Sequence, residues 1–365
     1  MPPTIITLVD DTDLSVPGKG QQARTYELFS RVARRAEVRL VTQGARYRDR
    51  LSWASQVVVV GRLPERLAAW LGGRDALPRL LEAARGSDVV VAEHIYGVNR
   101  WAPPASRLLG LPLVYDSHGN EAEVCGDIKC RASVVPFERY MYRSADAVVA
   151  ISEAVWREAA RLYGAGGKRH LVLPPGLREV RCTSRDLRGR LRAWGVSEGE
   201  VVAVTHGSLD YGPNAEALEL LVSSTRGARR KYGAVFVVAG ASRRLRPGWL
   251  SDSALYVGFA EDLDDLLCSA DVAVSLNVSG TGVHMKVLDY LSAGLPLVAT
   301  PKSLEGLPLE ALRGYPLRLV RLPGDDVGRA VAELAELRRG PFSGRAGLPT
   351  WDEQAERLVK FLAKL

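Results

Sequence analysis

No apolar run in this sequence approaches the roughly 20 residues needed to cross a bilayer. The longest, such as Val57 to Val60, are the length of a β-strand. The opening MPPTIITLVD carries neither a basic start nor a signal-length apolar run, so secretion is not expected. The expected location is cytoplasmic, with association at a membrane surface left open. Low-complexity tracts and internal repeats of about 20–50 residues are also missing, which sets aside disordered tails and solenoids. Cysteine is scarce: Cys125, Cys130, Cys182 and Cys268 are the whole complement. No second Cys/His pair stands near CGDIKC, so a structural zinc site is not expected. The expectation is four thiols in an intracellular chain. A Cys125–Cys130 bridge enters only if the Arg-rich, Met-poor composition marks a thermophile. Basic residues exceed acidic ones by 49 − 42 = +7, a mild excess spread along the chain. A compact basic face with stacking aromatics is missing, so nucleic acid is not an expected partner.

What is present is core. Apolar residues make up 47% of 365, enough for more than one domain. β-Branched apolar runs at residues 4–10, 37–43, 56–61, 88–94, 111–117, 147–152 and 170–174 alternate with helical patterns such as 21–34 and 64–84. Strands apolar on both faces belong to a parallel sheet covered on both sides. Alternation of this kind gives a doubly wound α/β domain. The Pro-Pro-Gly break at Pro174–Gly176 reads as the boundary. The alternation then restarts at 201–207, 234–240, 254–259, 271–277 and 295–300. The reading is two Rossmann-like domains, 1–175 and 176–350, facing each other across a ligand-binding cleft. The final helix, 351–365, places Trp351, Ala355, Leu358, Val359 and Leu362 on one apolar stripe. It is expected to pack back on the first domain.

The segment Gly280 to Thr300 carries the most chemistry. A strand ends near Asn277, a loop of small residues through Gly280, Thr281 and Gly282 follows, and Val283 and His284 lead into a helix stopped by Gly294 and Pro296. Glycines let backbone approach a ligand, and helix amides point at it. Lys286 on the first turns suits a diphosphate, and Asp289 one turn on suits a ribose diol. The alternative is a strand–helix turn bearing a surface Lys–Asp pair. Gly207 and Ser208, after the first strand of the second domain, would let amides approach phosphate. Gly18, Gly20 and Gln21, in VPGKGQQAR, could face a phosphate or form a plain turn. His118 closes a strand in YDSHGN, where a lone histidine is usually a loop residue. His94, His170 and His284 are read as structural, with His284 the strongest exception.

Gly280–Thr300 resembles the donor-binding signature of family-4 glycosyltransferases, in the group 1, GT-B superfamily, especially the branch with G-x-G-x-x-x-K and a following acid. SADVAVSLN, LYVGFAEDLDDLLCSAD, HGSLDYGPNAEALELL, YDSHGNEAE, ADAVVAISEAVWREAARLYG and VLPPGLR resemble further stretches of the family in the same order. The resemblance implies a retaining, metal-independent hexosyltransferase using no cofactor. Its nucleotide-diphosphate sugar donor would lie on the second domain and its acceptor mostly on the first. It implies contact of His118 with the transferring sugar, a diphosphate under the Gly18–Gln21 loop, and Lys286 as catalytic cation. No DxD-type carboxylate pair stands in a candidate site loop. The acceptor is left open among a glycan, a lipid-linked molecule and a small molecule. Arg31, Arg34, Arg35 and Arg39 cluster after a helix and are expected either to meet anionic lipid or to be solvated. One departure stands out. Of the family's paired glutamates, the second falls at Asp289 but the first at Thr281, which cannot act as a carboxylate. Rival readings are a nucleotide-sugar 2-epimerase and a non-catalytic transferase-like binding protein.

Overall fold

The computed structural model describes residues 3–15, 20–61, 72–125, 128–182, 187–280, 283–338 and 346–365. Gly18, Thr281, Gly282 and the first half of the expected helix at 64–84 lie outside them, as does the side chain of Gln21. The chain forms two compact units, the first from Met1–Gly176, Thr281–Val283 and Pro349–Leu365, the second from Leu177–Gly280 with His284–Leu348.

In the first unit seven strands run in the order β3-β2-β1-β4-β5-β6-β7. They are β1 (Ile5–Asp10), β2 (Glu37–Thr42), β3 (Gln56–Val59), β4 (Val89–Glu93), β5 (Leu113–Ser117), β6 (Ala147–Ala150) and β7 (Arg169–Val172), every pair parallel. Val89 to Ala92 are fully buried, as a strand covered on both faces requires. The strand order reverses between β1 and β4, so a crevice opens outside their carboxyl ends. The helix Trp351–Leu362 belongs to this unit. Trp351, Ala355, Leu358 and Leu362 are buried, with Val359 half-buried. Thr350 and Glu353 close a capping box at its start. Gln354 donates to the Pro174 carbonyl, and a Cβ at Gly176 would collide with the backbone of Thr350 and Trp351, which makes glycine obligatory there. The basic cluster expected either to meet lipid or to be solvated is engaged by carboxylates at the surface of this unit. Arg31, Arg34 and Arg35 converge on Asp352 at 3.3, 3.4 and 3.5 Å, and Arg39 pairs with Glu37 at 2.9 Å. No helix among the described residues is long and apolar enough to cross a membrane.

The second unit repeats the plan in the order β10-β11-β9-β8-β12-β13-β14. Its strands are β8 (Val201–His206), β9 (Ala234–Ala239), β10 (Gly248–Trp249), β11 (Ala254–Tyr256), β12 (Val272–Ser275), β13 (Leu297–Ala299) and β14 (Leu317–Leu319). All pairs are parallel except β10 with β11. The edges escaped sequence reading because β10 has two residues and β14, LRL, is largely exposed and lacks an apolar run. Here the order reverses between β8 and β12.

The four cysteines are not thiols. Cys125 pairs with Cys130 and Cys182 with Cys268, with Cα atoms 5.3 and 5.7 Å apart. Composition could not show the second pair, because its partners lie 86 residues apart in sequence and meet only through the fold. Closing a loop of that length removes about 4.5 kcal/mol of denatured-state freedom. The double variant Cys182→Ser/Cys268→Ser should therefore lower the unfolding midpoint of the second unit by on the order of 10 °C. Calorimetry checks this. The short Cys125–Cys130 loop should matter less, about 2 kcal/mol.

Candidate functional site

Each unit gathers ionisable side chains at its own topological switch point, and the two sets differ in charge. In the second unit β8 ends at His206, whose backbone N–H donates to the Tyr290 hydroxyl at 3.0 Å. Its ring meets Tyr290 edge-on at 5.2 Å. Burial, aided by Lys286 and Arg178, pushes the imidazole down to about 3, so it stays neutral at physiological pH. Lys286 occupies the first turn of the helix Met285–Ser292 and donates to Asn214 Oδ1 at 2.7 Å. Asn214 sits near the start of the helix Gly212–Ser224, and its amide donates to the Ser208 carbonyl at 3.0 Å. The partner of Lys286 is thus a neutral amide, and burial lowers the ammonium to about 8. His284, just before the helix, is pushed to about 4 by burial and by Lys286 and Lys302. Its Nε2 has no hydrogen-bond partner among the described residues. The unit therefore offers a half-buried cation in the first turn of a helix, close enough to two neutral imidazoles to act on both.

Two expectations for this unit need correction. Asp289 does not stand free to bind a diol through both oxygens. Arg178 Nε holds its Oδ1 at 2.8 Å, and the same guanidinium reaches Asp264 at 2.5 Å. Oδ2 lies 3.5 Å from His206 Nε2. The Gly207 amide is not free for phosphate either, since it donates to the Ala239 carbonyl at 3.1 Å. Glycine is needed there for a different reason. Gly207 has φ 143°, and a Cβ on it would press on the Asn214 amide at 2.8 Å. Ser208 is exposed and Val283 half-buried. Gly280 has φ 103° and lies beside Pro213 and the His284 ring. Thr281 and Gly282 fall outside the described residues.

The first unit's set is mostly acidic, whereas in the second unit Lys286 and Arg178 stand against Asp264 and Asp289. The carboxyl ends of β1, β4 and β5 bring together Asp10, Glu93, His94, Asp116 and His118, all buried, with Asp11 beside them. From the helix Gly20–Val32, Arg24 reaches under this row and is itself 1% exposed. Its NH1 lies 2.8 Å from Asp116 Oδ2, 2.7 Å from His118 Nε2 and 4.0 Å from Glu93 Oε2. His118 Nε2 is also 2.5 Å from Glu93 Oε2. Thr25 donates to the same carboxylate at 2.9 Å. Burial raises Glu93 and Asp116 against the pull of Arg24. Burial, Arg24 and His94 together push His118 well below the ordinary histidine range. Glu93, His94 and His118 bring ligating atoms within 4.8 Å of one another, but the guanidinium already supplies positive charge among them. Gly20 is exposed at the first residue of the Arg24 helix, and Gly18 lies outside the described residues.

Of the residues expected from sequence, the second unit joins Lys286, His284, Asp289, Gly207 and Gly280 at one switch point. His118 stands at the other, with Arg24, Glu93, His94 and Asp116, none of which was expected. A signal did exist: VDD, AEH and YDSH each end a parallel strand in ionisable residues. His170, by contrast, stacks flat on Trp156 at 3.9 Å as a packing residue.

Residues 19–176 match the model of a glycosyl transferase 4-like domain, and residues 200–334 that of glycosyl transferases group 1. The sequence matches no curated protein significantly. Among solved structures, the Anabaena protein HepE in complex with UDP-glucose superposes with a TM-score of 0.65 at 16% identity, covering 99% of this chain and 100% of that one. WaaG, a glycosyltransferase of lipopolysaccharide biosynthesis, gives 0.59 at 16% identity over 97% and 95%. The UDP-GlcNAc 2-epimerase of Methanocaldococcus jannaschii gives 0.61 at 10% identity over 99% and 100%. At such identities the likeness is one of fold.

Proposed function

From the matches of residues 19–176 to a glycosyl transferase 4-like domain and of residues 200–334 to glycosyl transferases group 1, on a GT-B fold, we propose that the chain transfers a hexose from a nucleoside-diphosphate sugar with retention and without a metal. The observation that carries this reading is Lys286, a half-buried cation in the first turn of a helix whose hydrogen-bond partner Asn214 is a neutral amide. An ammonium so placed, with the helix amides, can neutralise a leaving diphosphate. The nearby carboxylates Asp264 and Asp289 both pair with Arg178, so neither is clear of a cation to recruit a divalent ion. In this reading the leaving diphosphate helps take the acceptor proton while His118 positions the sugar. The acceptor meets the first unit, where the acidic row would repel a phosphate and welcome hydroxyl donors.

Titration calorimetry with UDP, GDP and ADP, followed by hydrolysis assays on the sugars of the nucleotide that binds, tests the proposal. Binding of none of them would end it. A second reading keeps a foothold, because carboxylates and histidines do converge in the first unit. A 2-epimerase would invert C2 of the donor sugar and wash solvent deuterium into it, so NMR of UDP-GlcNAc incubated in D2O separates the two.

Asp289 offers an internal check. Its carboxylate pairs with Arg178 through one oxygen and lies 3.5 Å from His206 Nε2 through the other, where a ribose hydroxyl would join the same set of contacts. Asp289→Asn should then raise the donor KM about tenfold with kcat nearly unchanged, and also cost about 1–3 kcal/mol of stability by weakening a charge-assisted bond to Arg178. Loss of stability with an unchanged KM would move the ribose elsewhere.

A further inference from the structure

His94 directly follows β4 and is the only non-glycine with positive φ, 64°, among the described residues. A side-chain-bearing residue in the left-handed region costs on the order of 1–2 kcal/mol and persists where its surroundings hold it. The surroundings here are charged. His94 Nδ1 lies 3.7 Å from Glu121 Oε1, and the other oxygen of Glu121 accepts from the Tyr96 hydroxyl at 3.1 Å. Asp10 and Asp11, at the end of β1, face the same ring. On its other side the ring meets His118 edge-to-face, with centroids 4.3 Å apart and planes at 68°. With the proton on Nε2, His118 donates to Glu93 Oε2 at 2.5 Å and leaves Nδ1 as the ring's acceptor, with the Arg24 guanidinium 2.7 Å and Asp116 Oδ1 3.8 Å from Nε2. Its Nδ1 is buried and has no hydrogen-bond partner among the described residues.

We propose that His94 is a positioning residue for the transfer reaction: its ring, paired with Glu121 and packed edge-to-face on His118, holds the His118 ring as a hydrogen-bond acceptor, through Nδ1, for a substrate hydroxyl. The inference rests on the reading of the chain as a glycosyltransferase. The electrostatics agree with the geometry. Burial pulls His94 down, but the bond to Glu121 and the charges of Asp11, Glu121 and Asp10 outweigh it and raise the imidazole to about 9. His118 is driven the opposite way, in part by His94 itself. Two adjacent imidazoles are thus pushed to opposite protonation states, one a fixed cation and the other a neutral acceptor. A neutral His118 accepts a hydroxyl hydrogen, whereas an imidazolium would not.

His94→Asn tests this, because asparagine tolerates the left-handed backbone and cannot carry the charge. With the charge gone, the His118 resonances should titrate at higher pH than in the parent. The acidic limb of kcat for donor turnover should rise with them. At neutral pH kcat should drop on the order of tenfold to a hundredfold, with donor KM and UDP affinity within about twofold of the parent, since the nucleotide lies on the other unit. A variant with the parent's pH profile and His118 titration overturns the proposal. If His94→Asn does not fold, Glu121→Gln should move the same two readouts in the same direction by weakening the clamp on His94, and its failure to do so is equally decisive. Failure of the parent to bind any nucleoside diphosphate would instead defeat the transferase reading, which the UDP measurement reports separately.

Discussion

Lys286→Ala should lower kcat and raise the donor KM together, by a combined tenfold to hundredfold in kcat/KM. The charge on the diphosphate grows as the glycosidic bond breaks, so an ammonium beside it stabilises the transition state more than the bound donor. A charge-assisted hydrogen bond of this kind is worth roughly 1.5–3 kcal/mol, and each 1.4 kcal/mol is a factor of ten. The site amplifies the effect because Asn214, the partner at 2.7 Å, neutralises nothing. Burial has already lowered the free ammonium to about 8, and a bound diphosphate must raise it again. Donor binding above pH 8 should then take up a proton, and affinity should fall as pH rises through 8 and beyond. In Lys286→Ala that alkaline limb should vanish. Calorimetry in buffers of different ionisation enthalpy reads the proton uptake directly. If the variant keeps the parent's affinity, turnover and alkaline limb, Lys286 does not hold the diphosphate.

The periodicity that predicted two doubly wound domains was legible because buried parallel strands such as VVVA, at Val89 to Ala92, admit almost nothing polar. Lys286 was legible for a related reason: a Gly-rich turn between a buried strand and a short helix leaves few places for a cation. The first unit's cluster was not legible. Arg24 lies mid-helix in QQARTYELF, where the pattern alone suggests a solvated basic residue. Only the packing of Gly20–Val32 against the sheet turns it inward, toward strand ends 92 residues away in sequence. His94 looked like an ordinary strand-end histidine, since neither its positive φ nor its contact with His118 follows from neighbouring residues. Asp289 has a partner that the sequence did not show. Helical spacing placed it near Lys286, but Arg178, 111 residues earlier, claims its carboxylate.

The same long-range pairing makes Arg24 the residue whose loss should hurt the first unit most. Arg24→Met keeps length and apolar bulk, removes the guanidinium, and leaves Glu93 and Asp116 facing each other with no cation between them. Breaking a buried pair from one side typically costs about 3–5 kcal/mol, because the remaining charge is stranded out of water. For a domain of this size that is roughly 10 °C in the unfolding midpoint. The pH dependence identifies the cause. Burial holds both carboxyl pKa values above the ordinary carboxylate range even with Arg24 present, and without it they must rise further. A carboxyl whose folded pKa is raised binds more protons folded than unfolded, so its destabilisation is absent below the unfolded pKa of about 4 and grows as pH rises through the folded value. The gap between Arg24→Met and the parent should therefore be smallest near pH 4 and widest at neutral pH. Adding Glu93→Gln to Arg24→Met should recover part of the loss, since one stranded charge is removed while its hydrogen-bonding shape is kept. Thermal unfolding of the three proteins from pH 4 to 8 measures all of this. A loss that is constant across that range would show that Arg24 acts by packing alone, and that the row at the ends of β1, β4 and β5 is not organised around its charge.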